Sequence, residues 1–194
     1  MKHFSISELT SSATALREGI DNRPNKCAYH LLHVLVDQLL DPIREAWGEP
    51  IVVSSGYRCK ELNALVGGAK NSHHMLGCAA DIIAGNKADH RRLFYLIQQM
   101  QQEGKIRFTQ LIAEEGYRWL HISYVPGMLR NQVIDVNVDD DVNKPSGRVN
   151  ISESQSTSAL TLSLSLEEKS ALKEYQDSGQ RARCLYSSIV SART

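Results

Sequence analysis

The run Ser72-His73-His74-Met75-Leu76-Gly77-Cys78-Ala79-Ala80-Asp81 brings two imidazoles and a carboxylate into ten residues around a glycine. A second segment, Trp119-Leu120-His121-Ile122-Ser123, adds another imidazole on a stretch with strand character. Two histidines and one aspartate make a three-ligand zinc site with a coordination position left open. That is the arrangement of catalytic rather than structural zinc, and its chemistry is hydrolysis. Spacing alone does not choose between His73 and His74, because on an extended backbone only one of them faces a given cleft. Asp81 directly precedes Ile82-Ile83 and so stands at the mouth of a strand. There a carboxylate can face a cleft while the isoleucines enter the core. Alternation along Trp119 to Tyr124 gives Leu120, Ile122 and Tyr124 one face and Trp119, His121 and Ser123 the other. The first set suits a core and the second a polar cleft floor.

The elements that must hold these groups read as follows. Ser5 and Glu8 have capping-box spacing before a short helix. Cys27 to Trp47 carries Ala28, Leu31, Leu32, Leu35, Leu39 and Ile43 at three- and four-residue steps, which predicts a helix. Pro42 predicts a kink in it, or a break with a new start near Asp41. Ile51-Val52-Val53 is a short β-type run leading through Ser54 to Arg58 into a turn. Glu61 to Val66 reads as a short helix ended by Gly67-Gly68, and Ala80 to Ile83 as a strand. Lys87 to Glu103 is a long helix with Leu93, Leu96, Ile97 and Met100 on one side and His90 on its exposed side, stopped at Gly104. Gln110 to Ala113 and Trp119 to Val125 form two antiparallel strands joined by Glu114 to Arg118. Helices and short strands that do not strictly alternate indicate an α+β fold.

The chain has 194 residues, with 22 Lys plus Arg against 22 Asp plus Glu. A formal net charge of zero gives no argument for nucleic acid or an acidic membrane surface. The first residues hold no apolar run of signal-peptide length, and nothing later has the length of a membrane span. The expectation is synthesis in the cytoplasm, no membrane insertion, no nucleic-acid partner and a monomer. The cysteines at 27, 59, 78 and 184 form no C-x-x-C pair, so a cysteine-based zinc knuckle is not expected. Cys78 reads as a small buried apolar residue. After Val138 the composition shifts. Asp139-Asp140-Asp141 opens a region with 12 Ser and 3 Thr. Residues 1–138 therefore read as one domain and 139–194 as a Ser-rich linker and tail, with a possible strand at 159–166 and helix at 166–177.

Two decoys fall away. His30, His33 and Asp37 share a helical face, but the three-residue His spacing is not H-E-x-x-H. Gly67-Gly68-Ala69-Lys70 lacks the spacing and the hydroxyl residue of a P-loop.

Taken together, Ser54-Ser55-Gly56-Tyr57-Arg58, Leu62-Asn63, Val66-Gly67-Gly68-Ala69, Asn71-Ser72, His74, Gly77, Ala79 and Asp81 resemble the peptidase M15 family. Its members are zinc D-Ala-D-Ala carboxypeptidases and related peptidoglycan peptidases that share a fold with the Hedgehog signalling domain. The family pattern S-x-H-x-x-G-x-A-x-D is matched by Ser72, His74, Gly77, Ala79 and Asp81, and the closing W-x-H by Trp119 and His121. The resemblance covers about residues 3 to 138, including Phe4-Ser5-Ile6-Ser7-Glu8-Leu9.

The resemblance implies a small antiparallel sheet flanked by helices. It selects His74 over His73 and implies that His74, Asp81 and His121 hold zinc (Zn2+), with water in the fourth position. It further implies that Arg58 binds a substrate carboxylate and that Ser72 lends a hydrogen bond to the substrate or orients the His74 loop. The general base departs from part of the family. Many members carry an acid three residues before the last histidine ligand, where this chain has Arg118, which cannot be a base at neutral pH. A related branch ends the preceding strand with Glu in a pattern like Q-L-I-x-E, which Gln110-Leu111-Ile112-Ala113-Glu114 fits. Glu114 is the expected base, with Glu115 as the alternative, since a one-residue register change exchanges their faces. The expected substrate is the peptidoglycan stem peptide, reached in the cell wall, and the expected reaction is D-Ala-D-Ala carboxypeptidase action. The alternatives are a phage-type endopeptidase lysin and a non-catalytic zinc-dependent binding module.

Overall fold

Ser5 accepts a hydrogen bond from the Glu8 N–H at 3.2 Å, and the Glu8 carboxylate accepts from the Ser5 N–H at 2.8 Å. This capping box starts α1 (Ile6–Thr10), and a short α2 (Ala13–Glu18) follows. A computed structural model of the chain describes residues 1–135. The expected boundary at 138 and the tail elements at 159–166 and 166–177 lie outside these residues. The apolar repeat of the first long helix emerges as α3 (Lys26–Leu35), a π turn over Val36–Leu40, and α4 (Asp41–Trp47). Pro42 has no N–H to give. The Asp41 N–H reaches back to the Val36 carbonyl instead, so the expected break becomes one wide turn in a continuing helix. Leu32, Leu35, Leu39 and Ile43 are fully buried along it. The buried Asp41 carboxylate accepts from the Lys2 and His3 N–H groups at 2.6 and 2.9 Å, which fastens the amino-terminal segment to this helix.

The strands are β1 (Val52–Ser55), β2 (Ala79–Ile83), β3 (Gln110–Glu114), β4 (Trp119–Ser123) and β5 (Gln132–Asp135). They form one sheet in the order β1-β2-β4-β3-β5. The β3–β4 pair is antiparallel, as expected, and so are β1–β2 and β2–β4. β5 was not foreseen and lies parallel to β3 at the edge. α5 (Lys60–Leu65) lies between β1 and β2 in the chain, and α6 (Lys87–Gln102) between β2 and β3. The fold is α+β.

Period-two alternation divides the sheet cleanly. Ala80, Ile82, Leu111, Ala113, Leu120 and Ile122 are buried in the core with Leu93, Phe94 and Ile97 of α6. His90, expected on the exposed side of α6, is 4% exposed. It stands three, four and seven residues before Leu93, Phe94 and Ile97, on the same helical stripe, and its Nδ1 lies 2.8 Å from the Tyr117 carbonyl. Among the described residues no helix is long and apolar enough to cross a membrane.

Candidate metal centre and cleft

Asp81 on β2, His121 on β4 and Ile112 on β3 are direct cross-strand partners, so their side chains stand in one row on the face turned from the core. His74 joins them from a different kind of element. Residues His73–Leu76 form a single 3-10 turn, where the sequence reading considered an extended backbone. Ser72 starts the turn, its Oγ accepting from the His74 N–H at 3.3 Å. Gly77 ends it at φ +74°, and a Cβ there would lie 2.5 Å from the Ala28 carbonyl oxygen of α3. Pressed against α3, the turn buries His74 to 1% exposure. His73 leaves on a different bearing, its Nδ1 at 3.2 Å from Ser123 Oγ, and it also lines the cleft.

Three donor atoms converge. His74 Nε2 lies 3.2 Å from His121 Nδ1 and 3.2 Å from Asp81 Oδ1, and His121 Nδ1 lies 2.9 Å from Asp81 Oδ1. Donors bonded at about 2.0–2.2 Å to a tetrahedral zinc stand roughly 3.3 Å apart, so this triangle fits such an ion. Among the described residues these three make up the cluster able to hold a metal ion. The outer support fits as well. His74 Nδ1 lies 2.6 Å from the Gly56 carbonyl, which takes the proton there and leaves the Nε2 lone pair facing Asp81 and His121.

The electrostatics favour the ligand forms of His74 and Asp81. Burial holds the His74 imidazole below its usual range against the pull of Asp81. For Asp81 burial acts upward, but the neighbouring His121 and His74 imidazoles outweigh it and hold the carboxyl well below the usual carboxylate range. Burial, reinforced by His121, His74 and Arg130, pushes His73 down to about 4.

The triangle sits in a cleft of about 590 Å³ that Arg58, Ser72, Glu114 and Trp119 also line. Arg58 follows β1. Its backbone N–H donates to the His74 carbonyl at 3.3 Å, and its buried Nε has no partner among the described residues. Burial lowers the Arg58 pKa and nearby Asp81 opposes the shift. Glu114 ends β3 opposite Trp119, on the face of Gln110 and Ile112. Glu115 is exposed in the turn with φ +42°, and its carboxylate meets Arg118 at 2.6 Å. It does not line the cleft. Sequence reasoning missed the far wall, where Thr109, Gln110, Met128, Arg130 and Gln132 line the cleft. Gln110 was within reach, since it alternates with Ile112 and Glu114. Met128, Arg130 and Gln132 come from the β4–β5 connection and the unforeseen β5.

Comparison with known proteins adds two findings. The family model of peptidase M15 matches residues 2–123. The zinc D-Ala-D-Ala carboxypeptidase of Streptomyces albus G is 49% identical over 49 residues, which cover 25% of this chain. The chain spans only 19% of that relative's length.

Proposed function

The chain belongs to the peptidase M15 family, and on that premise we propose that it is a zinc-dependent peptidase acting on peptidoglycan stem peptides. D-Ala-D-Ala carboxypeptidase action is the reaction its cleft supports best. The observation that carries this reading is the triangle of two imidazole nitrogens and a carboxylate oxygen in one cleft with Glu114 and Arg58. The partial likeness to a zinc D-Ala-D-Ala carboxypeptidase supports the choice of metal and bond.

His74, Asp81 and His121 would hold the ion. When bound, zinc supplies a Lewis acid and a water acidic enough to ionise near neutral pH. The rest falls to the chain. The Gly56 carbonyl fixes the His74 ring so that Nε2 stays a donor pair. Glu114 takes a proton from the attacking water and delivers it to the leaving amine. The planar fork of Arg58 takes the terminal carboxylate of the substrate in two-point contact, which aligns the last amide bond with the centre. Ser72 accepts from the His74 N–H, and its own O–H remains to donate to the substrate.

The test is to incubate the protein with muropeptides, with and without a chelator, and read the fragment masses. Zinc-dependent loss of one terminal D-Ala is expected. Cleavage at internal bonds would make it an endopeptidase. Zinc binding without cleavage would make it a binding module and overturn the assignment as an enzyme.

A further inference from the structure

The turn between β3 and β4 is built in a costly conformation. Glu115, Gly116 and Tyr117 have φ of +42°, +69° and +64° in succession. Glycine accepts this region freely, but Glu115 and Tyr117 do not. Such a backbone persists only where its surroundings over-determine it. Arg118 N–H closes the turn onto the Glu114 carbonyl at 3.0 Å, which is one bond against two strained residues.

Besides the exposed Glu115–Arg118 pair, the buried restraint converges on Tyr117, which is 2% exposed. Phe94 meets its ring edge-on at 5.6 Å, and the Arg91 guanidinium lies 5.0 Å over it. Its hydroxyl donates to Asp135 on β5. Its carbonyl faces His90 Nδ1 at 2.8 Å, so the buried His90 of α6 holds the backbone of the same residue. One side chain thus ties the turn to α6 and to β5 at once.

The turn separates two acids that are adjacent in the chain. Glu114 enters the cleft while Glu115 points outward to Arg118. A slip of one residue would exchange them. We propose that Tyr117 is a positioning residue that locks the hairpin in the register holding Glu114 in the cleft. The proposal rests on the reading of Glu114 as the proton carrier.

The test compares Tyr117→Asn, which tolerates the left-handed backbone but removes the anchor, with Tyr117→Phe, which keeps the ring. Each is made in the wild-type and in the Glu114→Gln background. Tyr117→Asn should lower kcat by about 10²-fold, the scale of an ångström's misplacement of a reacting group. KM and bound zinc should stay within about twofold, and Tyr117→Phe should recover most of the rate. In the Glu114→Gln background, Tyr117→Asn should add almost nothing, because both changes remove the same function. NMR contacts across the Glu114–Trp119 and Ile112–His121 pairs report register directly, with or without metal, and should weaken in Tyr117→Asn alone. Wild-type kcat and register in Tyr117→Asn would overturn the proposal, as would an equal loss in both backgrounds. Full activity of Glu114→Gln itself would instead overturn the assignment of the base, while the register measurement would still decide what Tyr117 does. If Tyr117→Asn does not fold, Tyr117→Leu carries the same comparison with the ring site filled.

Discussion

Gly56→Ala concentrates the structural argument in one methyl group. Gly56 has no left-handed φ, so the cost is one of space. A Cβ there would stand 2.1 Å from the Leu9 carbonyl oxygen and 2.8 Å from Leu9 C and Cα, where ordinary contact begins at 3.4 Å. The gap must open by 3.4 − 2.1 = 1.3 Å. Leu9 cannot yield easily, because its side chain is fully buried and α1 is pinned by its capping box. The Gly56 side must therefore move. A shift of that size is large enough to break the 2.6 Å contact between the Gly56 carbonyl and His74 Nδ1. Loss of such an outer support costs about 10–100-fold in metal affinity, or about 1.4–2.8 kcal/mol. Overpacking adds about 1–3 kcal/mol of lost stability. Zinc affinity is read by competition with a chelator of known affinity, and stability by urea unfolding of zinc-free protein. Wild-type zinc affinity in a destabilised variant would refute the role of Gly56 in orienting His74. Wild-type values of both would refute the packing argument itself.

His74→Ala should lose bound zinc by metal analysis, whereas His73→Ala should keep it; equal retention would remove His74 from the ligand set. Arg58→Ala should lower kcat/KM on a peptide with a free terminal carboxylate by about 10–150-fold, corresponding to about 1.5–3 kcal/mol for a charged hydrogen bond. Cleavage of the amidated peptide should hardly change, and an equal effect on both would refute carboxylate capture. Burial pushes the Cys78 thiol up to about 12. At pH 8 its thiolate fraction is then roughly one in 10⁴, and the thiolate is the reactive form. Peptide mapping after alkylation should find Cys78 unlabelled in native protein and labelled in urea, and native labelling as fast as at Cys59 would refute this.

What the sequence made legible follows from locality. Capping at Ser5, the α3 repeat and the stop at Gly104 depend on neighbours a few residues apart, and all three appear in the structure. Alternation in Trp119–Ser123 correctly separated Leu120 and Ile122 from His121. The 3-10 turn at His73 was not legible, because it is imposed by Gly77 against Ala28, nearly fifty residues away in the chain. β5 escaped for a similar reason: its four residues, with Val133 and Ile134 side by side, are too short a run to declare a strand until they pair with β3. His90 was misread despite a local signal, since its spacing to Leu93 and Ile97 puts it on the buried stripe. The Glu114 and Glu115 ambiguity was real at sequence level, because register is a property of the folded turn.

The ladder that carries Asp81 and His121 also divides what mutation can vary from what it cannot. An insertion or deletion inside β2 or β4 would turn a donor into the core and abolish the centre in one step. The walls at Gly67–Asn71 and Met128–Arg130 belong to connections between elements, and connections tolerate changes of length. On the proposed function, the paired donors and part of the substrate-facing wall thus lie in separate stretches of chain. Selectivity can drift through loop exchange while the reaction centre is inherited intact, which makes the two loops the place to graft new peptide preferences.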